Sequence, residues 1–86
     1  MSRESSRSLE DIYSRTDSIR GRLGSLGYPR WSQKLSDAVA GGATSGEILM
    51  AVRWHLQELR KATSDLPADL RSDIAEVLRL IRQTKV

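Results

Sequence analysis

The chain contains no cysteine, no phenylalanine and a single histidine. Without cysteine there is no disulfide framework, no thiolate metal site and no thiol nucleophile. Without phenylalanine, any large ring in the core must come from two tryptophans and two tyrosines. No apolar run approaches the roughly 20 residues needed to span a bilayer. The amino terminus, Met1 to Ser8, is polar and charged and has no apolar h-region, so no signal peptide is expected and the simplest location is the cytoplasm. No segment alternates apolar and polar residues as a half-buried strand does. These absences point to an all-α protein.

Charge is mixed rather than massed. Fourteen Lys/Arg are offset by eleven Asp/Glu, giving a net charge of +3. The first third is mildly basic, with Arg3, Arg7, Arg15, Arg20, Arg22 and Arg30 against Glu4, Glu10, Asp11 and Asp17. From Asp65 onward, bases and acids balance. A weak basic bias of this kind suits nucleic acid, an acidic protein partner or an ordinary solvated surface. Eighty-six residues make one domain, since each half alone would lack a workable core.

Apolar spacing and stop signals place four helices. Residues 1–7 carry no apolar anchor and are expected to be a flexible segment, leaving 8–86 as a single helical domain. Ser8 reads as the cap of a first helix whose inward face is Leu9, Ile12, Tyr13, Thr16, Ile19 and Leu23. Gly27 can close it in the left-handed conformation. Pro29 suits the first turn of a second, shorter helix with Trp31, Leu35, Ala38 and Val39 inward, stopped by Gly41-Gly42. Thr44 and Glu47 have the spacing of a capping box for a third helix. Pro67 opens a fourth, with Leu70, Ile74, Val77, Leu78 and Ile81 inward, acids at its start and bases at its end. Short connections favour antiparallel neighbours, so the expected architecture is a compact up-down four-helix bundle.

The third helix, Thr44 to Leu59, is the most informative segment. Ile48, Val52, His55 and Leu59 form one stripe, and Leu49 and Leu56 widen it beyond what a surface helix needs. Met50 and Trp54 stack at i, i+4 on a flank that a small bundle need not cover. The block Gly46-Glu-Ile-Leu-Met-Ala-Val-Arg-Trp-His55 resembles small bacterial helical proteins of no assigned function. That resemblance implies a small helical domain and transfers no site residue.

Candidate chemistry is sparse. His55 is the one side chain that ordinarily titrates near neutral pH, but nothing specifies the oriented partner that catalysis needs, and a boundary histidine hydrogen-bonded to a neighbour is the simpler expectation. Asp65, Asp69, Asp73 and Glu76 fall along one ridge without a loop to wrap a cation, and a helix start already favours them. Gly21, Gly24 and Gly27 follow a helix rather than a strand, so they mark a weakened helix end against which Trp31 or a neighbouring helix packs, not a phosphate cradle. Gly41 to Gly46 between two helices suggests a helix-turn-helix, yet the following turn reads Glu47-Ile-Leu-Met, which is poor for base contacts.

What remains is interaction. Trp31 is expected in the core, whereas Trp54 is open to either placement. If Trp54 is exposed, then Met50, Arg53, Trp54, Gln57 and Lys61 form a candidate partner-binding face, serving a protein partner or self-association. The expected function is a non-enzymatic protein-binding module, with no catalytic residues, no metal and no cofactor. The alternative is a nucleic-acid accessory protein using Arg7, Arg15 and Arg22 of the first helix.

Overall fold

The computed structural model describes residues 2–84; Met1, Lys85, Val86 and the side chains of residues 2–8 lie outside the described set. Four helices are present: α1 (Ser2–Ser25), α2 (Pro29–Gly41), α3 (Ser45–Ala62) and α4 (Ala68–Gln83). No strand occurs among the described residues. The protein is an all-α bundle with a shorter second helix. α1 already runs at Ser2, so Ser8 lies inside it and is not its cap. Of the segment 1–7 expected to be flexible, residues 2–7 form the first turns of α1 in backbone, and Met1 lies outside the described residues.

Each helix end has a local cause. Gly27 adopts φ 92°, a region closed to most side chains. The Tyr28 amide then donates to the Leu23 carbonyl at 2.8 Å, and the Gly27 amide to that of Gly24 at 3.3 Å. This is a Schellman closure, with Tyr28 partly buried near the fully buried Leu23. Pro29 follows as the first residue of α2. Only half of the capping box forms at α3. The Glu47 amide donates to Thr44 Oγ1 at 3.2 Å, but the Glu47 carboxylate takes the Thr44 hydroxyl rather than its backbone amide. At the far end, the Thr63 amide and hydroxyl both donate to the Leu59 carbonyl, at 3.0 and 2.8 Å.

Sequence neighbours are spatial neighbours. α1 packs on α2, α2 on α3, and α3 on α4, and α4 returns to α1 to close a ring. Among the described residues the α1–α4 seam carries one long-range ion pair, Arg22 Nη1 to Asp69 Oδ2 at 2.5 Å.

The core is aliphatic. Ile12, Ile19, Leu23, Leu35, Leu49, Val52, Leu56, Leu59, Leu70, Ile74 and Val77 are essentially without solvent contact. Burying a side chain of this kind contributes roughly 1.5–3 kcal/mol. All five inward positions expected on α4 are buried. On α3 the buried arc is Leu49, Val52, Leu56 and Leu59, while Ile48 and His55 sit at its margin. The stripe is therefore rotated slightly toward the two leucines that were expected only to widen it.

α2 corrects two expectations. Its buried residues are Leu35 and Ala38; Trp31 is only partly buried, and Val39 remains 38% exposed. Trp31 lies at the edge of the core, with Lys34 Nζ 4.4 Å from its ring centroid, a cation–π contact at the surface. Gly24 has Ser32 as its near neighbour and Gly21 has none, so no close packing of Trp31 explains those glycines. Leu66, in the α3–α4 turn, is buried without any periodic pattern to announce it.

Candidate functional site

α3 faces the bundle with Leu49, Val52, Leu56 and Leu59 and faces water with the opposite side. That outer side bears Glu47, Met50, Arg53, Trp54, Gln57 and Lys61, all exposed. Met50 is 62% exposed and Trp54 57%, the two most exposed large hydrophobic side chains among the described residues. One helical turn separates them, so they form a continuous apolar strip on a helix that is otherwise polar outside. The ring Trp54 presents is the residue type that interface centres favour, with methionine beside it.

The charges around the strip are mostly uncommitted. Arg53 has no ion-pair partner among the described residues. Lys61, with 78% of its side chain exposed, touches Glu58 at 3.4 Å, a long contact in high dielectric. Below Trp54, residues Gln57, Arg60 and Lys61 border a shallow crevice of about 450 Å³. A neighbouring hollow of about 480 Å³ continues from Arg60 to Arg71 and Ser72 of α4.

His55 lies beside this strip. Its ring meets Trp54 edge-to-face, with centroids 5.2 Å apart. Nδ1 is buried and has no hydrogen-bond partner among the described residues, so the hydrogen bond expected from a neighbour does not form at that nitrogen. Burial holds its pKa below the ordinary 6.5, the positive charge of Lys34 adds to that, and Asp37 opposes it.

The acidic ridge is dispersed. Asp69 is held by Arg22, which keeps its carboxyl below the usual carboxylate range, and Glu76 is held in the same way by Arg79. Asp65 lies in the turn before α4, where it accepts from the Ser64 hydroxyl. Among the described residues no three potential ligands come together around a metal position. The arginines considered for phosphate are also engaged. Arg15 Nε meets Asp11 at 3.1 Å, and Arg22 meets Asp69. Arg7 is among the side chains outside the described set.

One feature has no sequence signal. Between α1 and α2 lies a hollow of about 270 Å³ lined chiefly by Tyr13, Thr16, Leu35 and Val39, with Asp17 and Arg20 at its rim. Thr16 is only 2% exposed and its hydroxyl has no partner among the described residues. Val39 lines this opening, which spacing along α2 alone does not reveal.

No helix among the described residues is long and apolar enough to cross a membrane. No family model, curated protein or solved structure matches the chain.

Proposed function

We propose that this chain is a non-enzymatic protein-binding module whose contact surface is the outer face of α3. The class is that of small accessory subunits, inhibitors or immunity-type regulators, an analogy of size and architecture. One observation supports the reading above all others: Met50 and Trp54 remain more than half exposed, side by side on one helix, while the aliphatic core beneath them is closed to solvent. Trp54 and Met50 supply desolvation energy on contact, while Arg53, Gln57 and Lys61 set orientation from the rim.

The test is affinity capture of the tagged chain from its native lysate, with a differently tagged second copy present, with and without nuclease. A stoichiometric protein that survives nuclease and is lost with Trp54→Ala, at unchanged helicity and melting temperature, supports the module. Collapse of the fold on that substitution would place Trp54 in the core and remove the surface. Recovery that disappears with nuclease and falls steeply with salt would favour nucleic-acid binding through the α1 arginines instead. For that alternative, the engagement of Arg15 and Arg22 by Asp11 and Asp69 is unfavourable.

A further inference from the structure

The exposed positions of α3 have a register of their own. Glu47, Met50, Trp54, Gln57 and Lys61 are spaced three, four, three and four residues apart, and all are exposed. This is the spacing of a seam between two helices, on the side of α3 turned away from α2 and α4. Trp54 is at its centre: Glu47 lies seven residues before it and Lys61 seven after. Each charge is thus about 10.5 Å from the tryptophan along the axis, one acid at the amino end and one base at the carboxyl end.

A sequence arranged in this way is complementary to itself in reverse. We infer that the outer face of α3 pairs with α3 of a second copy, antiparallel, around a two-fold axis beside Trp54. The inference rests on the reading of this face as a protein-binding surface and names its occupant. In the antiparallel arrangement Glu47 meets Lys61 of the second copy, and Lys61 meets its Glu47, so that two equivalent ion pairs close the ends. Met50 comes beside the Trp54 ring and the Gln57 stem of the second copy, a sulfur-and-aromatic contact at the centre. A parallel arrangement would oppose Glu47 to Glu47 and Lys61 to Lys61, so charge selects the direction. Lys61 gives up only a long, exposed contact with Glu58 to do this. Arg53 of each copy borders the axis on the same side, a like-charge contact that keeps the association weak. A single-helix seam also falls at the small end of specific interfaces, where weak associations are found.

Sedimentation equilibrium on the purified full chain, up to about 500 μM, tests the pairing. Wild type is expected to form a dimer, and Trp54→Ala a monomer with an unchanged circular dichroism spectrum. Glu47→Lys and Lys61→Glu each convert two attractions into two repulsions and should weaken the dimer roughly tenfold. The double variant carrying both changes restores opposite charges and should recover affinity to within about threefold of wild type. It also reverses the helix-end charges of α3, so recovery cannot come from a more stable helix. A wild-type chain monomeric throughout, or a dimer indifferent to Trp54 or to the single swaps, or a double variant as weak as the singles, would overturn the pairing. If the chain is monomeric while a different protein is still captured through Trp54, self-pairing fails and the binding-surface reading stands. If no association depends on Trp54, both fail.

Discussion

Trp54 and His55 stand edge-to-face at 5.2 Å with their planes 79° apart, one ring mostly in water and the other turned toward the bundle. The pair marks the boundary of α3 between its packed and open faces. His55 Nδ1 is enclosed without a partner there, so the neutral imidazole is favoured over the cation.

The histidine should therefore titrate below its ordinary value. Its folded pKa is depressed, so the stability it contributes is present above pH 6.5 and lost as pH falls through the folded value. An NMR titration of the imidazole is expected to show a midpoint under 6.5. Between about pH 7.5 and about pH 5, wild type should lose more melting temperature than His55→Gln. Parallel losses in the two proteins would show that burial does not act on this ring.

The unpaired hydroxyl of Thr16 makes a second case. Thr16→Val keeps the shape of the side chain and removes a buried polar atom that bonds to nothing, so it should stabilise the fold by about 1 kcal/mol. In a domain of this size that is roughly a 4–8 °C rise in melting temperature. A fall instead would mean that the hydroxyl has a partner, such as water in the adjoining hollow.

Two adjacent glycines should respond in opposite directions. At Gly42 the backbone is extended at φ −78°, where alanine is conformationally welcome. A Cβ there would nonetheless stand 3.0 Å from the Ile48 amide nitrogen and overlap Ile48 Cγ1. Gly42→Ala is expected to cost about 1–3 kcal/mol, because the start of α3 must move. Gly41, the last residue of α2, has open space around it, and Gly41→Ala should gain about 0.4–1 kcal/mol. Paired urea denaturation curves separate the two effects.

Much of the architecture was legible in residue spacing. The four helices, the left-handed turn at Gly27, the proline start of α2 and the five inward positions of α4 follow from periodicity and backbone restriction. Depth was not legible. A helical repeat gives the direction of a side chain but not how far the neighbouring helix extends over it, which is why spacing places Trp31 and Val39 in a core that stops short of them. Leu66 belongs to no repeat, and Arg22 finds Asp69 across 47 residues of sequence. At α3 the same blindness left Trp54 open to either placement; its exposure is a property of where α2 and α4 lie.

The ring of helices also bears on how the chain reaches its native state. Three of its four seams join consecutive helices, so most native contacts form between segments already close along the chain. Search distances are short, so folding is expected in the microsecond-to-millisecond range of helical bundles, a rate that stopped-flow or temperature-jump kinetics would read. The α1–α4 seam is different, because it joins helices far apart in sequence and bears the entropy of closing the longest loop of the four seams. Mutations confined to that seam, Arg22 and Asp69 included, should therefore act on the rate at which the bundle opens more than on the rate at which it forms.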